Sequence, residues 1–152
     1  MGNPPLPGHS PIGPAITVNG RRELLLQHAA WLRRQPDAWV IIVCGGRNYQ
    51  DRERVFAALD RAHAKRRITL LVHGGAPGAD TLAGEWAKER GVWVQVFEAD
   101  WDRHGKAAGP MRNQAMLDAG CGGVIAFPGG SGTADMCRRA ERAGVKVWRP
   151  FG

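Results

Sequence analysis

The sequence Val-Ile-Ala-Phe-Pro-Gly-Gly-Ser-Gly-Thr at residues 124–133 predicts a buried strand that ends in a glycine-rich turn and opens a helix. Such a turn leaves several backbone N–H groups unpaired at the helix start, where they attract phosphate. Gly129, Gly130 and Gly132 let the backbone approach a ligand without an intervening Cβ, and Thr133 adds a hydroxyl donor. The alternative is a tight strand-to-helix turn without a ligand, because glycine-rich loops are common.

Two other apolar runs also end in glycine-rich turns. The run 39–44 continues into Gly45-Gly46-Arg47, and the run 68–73 continues into Gly74-Gly75-Ala76-Pro77-Gly78. Both turns are followed by apolar residues at helical spacing, and Asp51 is the expected N-cap of the first of these helices. All of these turns therefore have the form of a strand-to-helix junction.

Strands and helices alternate over the main part of the chain. Gly91 is expected to stop the helix that follows the second strand. The predicted strands are at 39–44, 68–73, 92–97, 122–127 and 145–148, with a loop at 98–110 and a helix at 111–119 before the fourth strand and a helix at 132–143 after it. Because the strands are apolar on both faces, this pattern predicts an α/β fold with a doubly wound parallel sheet of about five strands.

The glycine-rich turns share one edge of this sheet, because each follows the carboxyl end of a strand. In doubly wound sheets, ligands bind outside the carboxyl ends of the strands, at the point where the strand order reverses. If the first and fourth strands are neighbours at that point, Gly45-Gly46-Arg47 faces the turn 128–133 across a single crevice. We therefore expect one ligand site that several turns build together.

The composition favours a soluble protein with an anionic ligand. The chain has 152 residues and a formal net charge of +7, but its Lys and Arg residues are spread over many segments. This distribution is more typical of solubility and anionic-ligand binding than of a nucleic-acid surface. No apolar run is long enough to cross a membrane and the first residues do not resemble a signal peptide, so we expect a cytoplasmic protein.

The cysteines and histidines predict neither a disulfide nor a metal site. Cys44, Cys121 and Cys137 lack the C-x-x-C spacing of redox and zinc sites, so reduced and mostly buried thiols are expected. The five histidines are scattered, and none has the i, i+4 partner typical of helix-borne metal sites. We therefore predict no metal and no cofactor.

The first part of the chain differs in character from the rest. Residues 1–20 are rich in proline and predict a disordered arm, and residues 39–150 form the main domain. Residues 21–38 predict an amphipathic helix that Pro36 closes. Its apolar face needs a partner, either the main domain or a second subunit, and consists of Leu24, Leu25, His28, Trp31 and Leu32.

Five motifs in the main domain follow one another in the order typical of a known family. They are Cys-Gly-Gly-Arg-Asn-Tyr at 44–49, His-Gly-Gly-Ala-Pro-Gly-Ala-Asp at 73–80, Ala-Asp-Trp at 99–101, Gly-Lys-Ala-Ala-Gly-Pro-Met-Arg-Asn-Gln at 105–114 and Phe-Pro-Gly-Gly-Ser-Gly-Thr at 127–133. Together they resemble the YspA, cpYpsA-related branch of the SLOG superfamily of Rossmann-like domains, over about residues 39–150. The resemblance implies a Rossmann-like fold with a nucleotide or nucleotide-derived small molecule as the partner in the crevice.

Two better-understood groups similar to this branch imply different activities. Lonely Guy phosphoribohydrolases cleave the bond between the base and the ribose of a nucleoside monophosphate. Smf-type DNA-processing proteins hold single-stranded DNA. The phosphoribohydrolases build their sites near subunit contacts, so the resemblance also suggests a homodimer, which the sequence itself leaves open.

The chain departs from the hydrolase pattern at two positions. That pattern has a catalytic Glu where this chain has Met136, and a Lys where it has Asn113. Asp135 is rotated by roughly 100° around the helix from the position of the Glu, so its carboxylate is not aimed at the same point. Ligand binding is therefore the leading hypothesis, followed by N-glycosidase activity and then by binding of single-stranded nucleic acid.

Asp80 and Arg112 are the candidate catalytic residues if the protein is an enzyme. Asp80 follows the second turn, where it can bind a ribose hydroxyl or act as a base, and equally can cap the helix. Arg112, at the start of the helix after the 98–110 loop, is expected to neutralise phosphate with Lys106 and His104. Trp101 can stack on a base or pin its loop to the core.

The remaining candidate residues belong to the turns and to the segment opposite them. Residues 129–133 are expected to hold the phosphate of the ligand, and Asp80 its sugar. The assigned ligand-binding residues are Gly45, Gly46, Arg47, Gly74, Gly75, Lys106, Asn113, Pro128, Gly129, Gly130, Ser131, Gly132 and Thr133.

Overall fold

The structure is a computed structural model that describes residues 22–152, with side chains described from residue 28 onward. The arm predicted at 1–20 lies outside the described residues. The helices are α1 (Arg22–Arg33), α2 (Arg52–Lys65), α3 (Ala79–Arg90), α4 (Trp101–His104), α5 (Ala108–Asp118) and α6 (Ser131–Arg142). The strands are β1 (Val40–Cys44), β2 (Leu70–His73), β3 (Trp93–Val96), β4 (Gly123–Ala126) and β5 (Val147–Trp148).

The strands form a single parallel sheet with the order β3-β2-β1-β4-β5. The predicted α/β fold with a Rossmann-like parallel sheet is confirmed. Strands β2 and β3 lie on one side of β1, and β4 and β5 lie on the other side. Ile42 in β1 is paired with Val72 in β2 and with Val124 in β4. The strand order therefore reverses at β1 and β4, where a ligand crevice is expected.

Helices cover both faces of the sheet, because alternate strand residues point to opposite sides. Ile41 and Val43 contribute to a core that α2 and α3 cover, and its largest fully buried side chain is Trp86. Val40 and Ile42 point to the other core, which α1, α5 and α6 cover. Burial on both faces explains the continuous apolar runs in the sequence.

Two predicted helix ends are confirmed. The side chain of Asp51 caps α2 by accepting a hydrogen bond from the backbone N–H of Arg54, 3.1 Å away. Gly91 ends α3 in the left-handed conformation, with φ of 69°. Residues with a Cβ rarely adopt this conformation, so glycine is the residue expected there.

The prediction of a loop at 98–110 is wrong, because most of this segment is helical. Asp100 caps the short helix α4 by accepting from the N–H of Arg103, and one turn of 3-10 helix, Gly105–Ala107, leads into α5. Pro110 lies in the first turn of α5, where a missing N–H removes no helical hydrogen bond. Arg112 therefore lies in the second turn of α5 rather than at the helix start.

The described part of α1 packs on the main domain. Ala29 and Leu32 are buried against the sheet, and the ring of His28 meets the ring of Trp93 edge to face at 4.2 Å between centroids. Arg33 Nε donates to the carbonyl oxygen of Gly120, 3.2 Å away. The partner of this part of the apolar face is therefore the main domain, whereas the side chains of Leu24 and Leu25 lie outside the described residues.

Candidate functional site

An open cleft of about 960 Å³ lies at the carboxyl ends of β1, β2 and β4. Its volume falls in the range of about 300–1,000 Å³ that is typical of small-molecule sites. The predicted site residues that line it are Gly45, Gly46, Arg47, Gly74, Asp80, Lys106, Arg112, Asn113, Pro128, Gly129, Gly130, Ser131, Gly132 and Thr133. Gly75 and His104 do not line it.

The three glycine-rich turns meet at the floor of this cleft. The N–H of Gly46 donates to the carbonyl oxygen of Pro128 at 2.8 Å, which joins the turns after β1 and β4. The N–H of Ala79 donates to the carbonyl oxygen of Gly46 at 3.2 Å, which adds the turn after β2. The single crevice expected between the first and fourth strands is therefore present.

Several glycines of the floor are required by packing within the protein. A Cβ on Gly129 would collide with Thr133 Oγ1 and lie 2.6 Å from the backbone nitrogen of Gly46. A Cβ on Gly45 would lie 2.5 Å from the Cβ of Ala79. Separations below 3 Å are not tolerated without a shift of the backbone, so these turns can meet only because their residues lack side chains.

Gly130 and Gly132 differ from these packed glycines. Apart from the adjacent residues and the backbone of α6 itself, no heavy atom of the described part of the chain lies within 4 Å of the position that a Cβ would occupy on either residue. Neither has a positive φ, so backbone conformation does not require glycine at these positions. Both residues line the cleft. Neither internal packing nor backbone conformation explains their lack of a side chain.

The same two residues lie at the start of α6, which no side chain of residues 28–152 caps. The first hydrogen bond of this helix is donated by the N–H of Ala134 to the carbonyl oxygen of Gly130, at 3.0 Å. The N–H groups of residues 131–133 precede this bond and have no acceptor within the helix. Because these residues line the cleft, the positive end of the helix dipole lies at the cleft.

Arg112 projects from α5 toward the turn after β2. Its Nη1 donates to the carbonyl oxygen of Gly74 at 2.5 Å, and its Nε donates to Asn113 Oδ1 at 3.0 Å. A Cβ on Gly74 would lie 2.6 Å from Cζ of Arg112, so the guanidinium occupies the space of that side chain. Burial lowers the pKa of Arg112, and the nearby carboxylate of Asp80 opposes this shift.

Asp80 lies in the first turn of α3 and is 6% exposed. Its Oδ2 accepts hydrogen bonds from the N–H groups of Gly74 at 3.1 Å and Ala76 at 3.2 Å. Burial raises the pKa of Asp80 to about 6, against these hydrogen bonds and the charge of Arg112. One carboxylate oxygen thus holds the turn, and among the described residues none donates a hydrogen bond to the other oxygen.

Asp135 and Met136 do not line the cleft. Asp135 Oδ2 accepts from Asn113 Nδ2 at 3.0 Å and from Arg139 Nε at 2.9 Å. Burial alone would raise the pKa of Asp135, but the hydrogen bonds from Asn113 and Arg139 bring it below its usual value. Met136 is fully buried in the core beneath the sheet. Position 136, where the hydrolase pattern has its catalytic Glu, therefore belongs to the core of this protein.

Other residues of the cleft were not assigned from the sequence. Asn48 and Tyr49 line it after β1, and the Tyr49 hydroxyl is buried without a hydrogen-bond partner among the described residues. Arg138 lines it from the second turn of α6. Asn48 and Tyr49 could have been identified from their position directly after a glycine-rich turn. Nothing in the local sequence pattern distinguishes Arg138 from the other arginines of α6.

Trp101 lies at the rim of the cleft and is 48% exposed. Its ring packs over Gly109, where a Cβ would lie 3.1 Å from Cη2. The position of Trp101 fits both predicted roles. The ring packs on α5, as a residue that pins this segment to the core would, and about half of its surface is exposed for stacking on a base.

Positive charge predominates in the cleft. Among the described residues that line it, the cations are Arg47, Lys106, Arg112 and Arg138, and the carboxylate is that of Asp80. In residues 22–152 no group of three or more His, Cys, Asp or Glu side chains is placed to bind a metal ion. The site is therefore suited to an anion.

His73 and Gly75 support the turn after β2 from outside the cleft. His73 Nδ1 accepts a hydrogen bond from the N–H of Gly75 at 3.0 Å. Burial, and then the charge of Arg112, lower the pKa of His73 to about 4, so its imidazole is neutral near pH 7. Gly75 has a φ of 74° and packs against Val96 and Glu98. The two residues shape the turn that holds Gly74.

No helix among the residues that the structure describes is long and apolar enough to span a lipid bilayer.

Comparison with known proteins identifies the family. The model of the YspA, cpYpsA-related SLOG family matches residues 39–104. The Gene 61 protein of Mycobacterium phage D29 is 40% identical to this chain, and the alignment covers 70% of the chain and 92% of that protein. No solved structure matches the chain significantly. The chain belongs to the YspA, cpYpsA-related SLOG family.

Proposed function

We propose that this protein binds a phosphate-bearing nucleotide or nucleotide-derived small molecule in the cleft. The observation that carries the proposal is the open space at Gly130 and Gly132, at the start of a helix that no side chain caps. Glycine at these positions is explained if a ligand approaches the backbone there. A phosphate group fits such a helix start, because it accepts hydrogen bonds from the free N–H groups and is attracted by the helix dipole.

Each part of the ligand has residues to which it can bind. The N–H groups of residues 131–133 and the hydroxyl of Thr133 would donate to the phosphate, with Arg138 and Arg112 as countercharges. The free carboxylate oxygen of Asp80 would accept from a ribose hydroxyl. The exposed face of Trp101 offers a surface on which a base can stack.

An N-glycosidase is the second candidate, and the observation in its favour is Asp80. A carboxylate with a pKa of about 6, beside Arg112 in the cleft, is suited to act as a general base near neutral pH. The positions of Asp135 and Met136 outside the cleft count against this candidate, because the hydrolase pattern takes its carboxylate from that helix. We therefore rank ligand binding first.

Calorimetric titration tests the binding proposal. AMP, ADP-ribose, NAD and cyclic nucleotides are titrated into the full chain, and at least one is expected to bind saturably. Gly132→Ala is expected to weaken that binding at least tenfold while the unfolding temperature stays equal or rises, because alanine favours the helix. Absence of heat from every ligand at millimolar concentration would contradict the proposal.

Incubation with AMP and its analogues separates the two candidates. A pure binding protein leaves the nucleotide intact, whereas an N-glycosidase releases free base that chromatography detects. If base is released, Asp80→Asn is expected to abolish the release. Release that is unchanged in both Asp80→Asn and Arg112→Ala would reject the assignment of these residues.

A further inference from the structure

A second cavity, of about 210 Å³, lies outside the cleft and has a different character. It is lined by Trp39, Arg61, Ala62, Lys65 and Trp148, and none of these residues lines the cleft. Trp39 directly precedes β1, so the cavity lies toward the amino ends of the strands, opposite the edge that carries the glycine-rich turns. We call this surface the tryptophan groove.

The tryptophans of this groove are not fully covered by the protein. Trp148, on the edge strand β5, is 36% exposed, and Trp39 is half-buried. Among the described residues the other large apolar side chains with comparable exposure are Trp101 and Met111, on the helices beside the cleft. Two neighbouring indole rings at the surface provide an apolar contact for a planar partner.

Cations lie against both rings. Cζ of Arg61 is 5.6 Å from the ring centroid of Trp148, and Cζ of Arg66 is 5.4 Å from that of Trp39. Lys65 also lines the groove. The two distances are within the range of cation–π contacts, so each guanidinium is held beside a ring.

Within residues 28–152, whose side chains the structure describes, these cations have no acidic partner. The ion pairs among the described residues involve Arg52, Arg54, Arg90, Arg138, Arg139 and Arg149, but not Arg61, Lys65 or Arg66. Arg66 instead donates from Nη2 to the carbonyl oxygen of Ala38 at 3.0 Å. The helix dipole explains cations at the end of α2, but it does not explain the exposed rings beside them. The charges of the groove are therefore free to attract an anion.

We propose that the tryptophan groove binds single-stranded nucleic acid, independently of the ligand in the cleft. A base would stack on Trp148 or Trp39, and the phosphates on either side would lie at Arg61, Lys65 and Arg66. Aromatic rings interleaved with unpaired cations are the combination that single strands require, because their bases are unstacked and their backbone is anionic. A duplex has its bases stacked inside, and an acidic peptide lacks a row of planar rings.

Fluorescence anisotropy of a labelled oligo(dT), with the full chain at low salt, tests this proposal. We expect saturable binding that weakens steeply as salt is added, because phosphate contacts release counterions. Trp148→Ala is expected to weaken binding about tenfold, through the loss of base stacking. The same variant should leave binding of an abasic oligonucleotide of equal length unchanged, since that probe has phosphates but no bases.

Charge variants give a second measurement that does not disturb the edge strand. Arg61 and Lys65 lie on the exposed side of α2, so Arg61→Ala and Lys65→Ala should fold normally and weaken binding of both probes. Arg103→Ala is the matched control, because it removes an exposed cation of a helix outside the groove and should have no effect.

Three results would overturn the proposal. The first is unchanged oligo(dT) binding in Trp148→Ala together with unchanged binding in Lys65→Ala. The second is weakening by Arg112→Ala alone, which would move the nucleic acid to the cleft. The third is conversion of a dimer to a monomer by Trp148→Ala in a chain that does not bind oligo(dT), which would make the groove a contact between copies.

Discussion

Helices α2 and α6 both begin at the carboxyl edge of the sheet, next to β1 and β4, but their first turns are built in opposite ways. At α2 the carboxylate of Asp51 accepts from the N–H of Arg54. At α6 the N-cap is Gly130, and no side chain that the structure describes accepts from the first N–H groups. The first helix start thus has a side-chain acceptor within the protein, whereas the second leaves its donors at the cleft.

The difference separates structural from functional sequence signals at one sheet edge. A capping side chain in place of glycine is worth a few tenths of a kcal/mol, so the open helix start forgoes a small amount of stability that a single side chain would supply. Position 130 has the space for such a side chain. The helix start of α3 is intermediate, because Asp80 holds the preceding turn with one oxygen and keeps the other free. The following substitutions test this division.

The largest effect is expected for Gly129→Ala, which lies directly before the open helix start. The new Cβ would collide with Thr133 Oγ1 and lie 2.6 Å from the nitrogen of Gly46, so the turns must separate. We expect the free energy of unfolding in urea to fall by about 3 kcal/mol. An unfolding midpoint equal to that of the parent would show that Gly129 is not required by packing.

The pH dependence of stability tests the intermediate helix start at α3. Asp80 has a pKa of about 6 in the folded protein and 3.8 when unfolded. Its contribution to the free energy of unfolding is therefore present at low pH and is lost as pH rises from 3.8 to about 6. His73 has a pKa of about 4 when folded and 6.5 when unfolded, so its contribution is lost as pH falls from 6.5 to 4. The two slopes oppose each other between pH 4 and 6.5, so the titration of Asp80 offsets the loss of stability that His73 causes.

Asp80→Asn removes the offset that Asp80 provides. We expect this variant to lose roughly 2–3 kcal/mol more stability than the parent as pH falls from 6.5 to 4. Thermal unfolding of both proteins at half-unit intervals of pH measures the difference. A variant whose stability depends on pH in the same way as that of the parent would contradict the opposed titration of these two groups.

Gly130→Asp converts the open helix start into a closed one. The carboxylate would accept from the N–H groups at the start of α6 and repel a phosphate, so we expect ligand affinity to fall at least tenfold, which is about 1.4 kcal/mol. Stability should be unchanged or higher by a few tenths of a kcal/mol. Calorimetry and urea unfolding measure the two effects. Unimpaired binding would place the ligand elsewhere in the cleft.

Asp51→Ala makes the reverse change at α2. The loss of the cap should lower stability by about 1 kcal/mol, as measured by urea unfolding, and leave ligand affinity unchanged. Arg54→Ala is the matched control, because it removes the ion pair between the Arg54 side chain and Asp51, at 3.3 Å, and keeps the backbone N–H that the cap uses. A loss of ligand affinity in Asp51→Ala would mean that both helix starts serve the ligand.

The smallest effect is expected for the stability of Gly132→Ala. Its Cβ meets no atom, and alanine loses less conformational entropy than glycine in a helix, so stability should rise by about 0.5 kcal/mol. Gly129→Ala and Gly132→Ala thus change stability in opposite directions although the two positions are only three apart in the sequence. Equal destabilisation by both would remove the distinction between packed and open glycines.

The fold was predictable because its signals are local. Buried strands appear as apolar runs, and Asp51 and Gly91 mark helix ends by their own chemistry. The helix α4 was missed because it has a single turn, too short to show a periodic pattern, although Asp100 is a typical N-cap. Most of the cleft was also predictable, since the turns that follow neighbouring parallel strands share one edge.

Contacts between distant segments were not predictable. Arg138 reaches the cleft and Gly75 does not, because the twist of the turns and the packing of α6 decide these positions. The positive charge appears scattered in the sequence, yet Arg61, Lys65 and Arg66 meet Trp39 and Trp148 in space. These segments are far apart along the chain, and only the assembled sheet brings them together.

The cleft floor consists largely of main-chain atoms, which are the same whatever the neighbouring side chains are. Evolution can therefore exchange the residues of the walls, such as Trp101, Lys106 and Arg138, without reshaping the floor. A family with this construction can keep one cradle of backbone N–H groups and change the molecule that it recognises by a few substitutions around the rim.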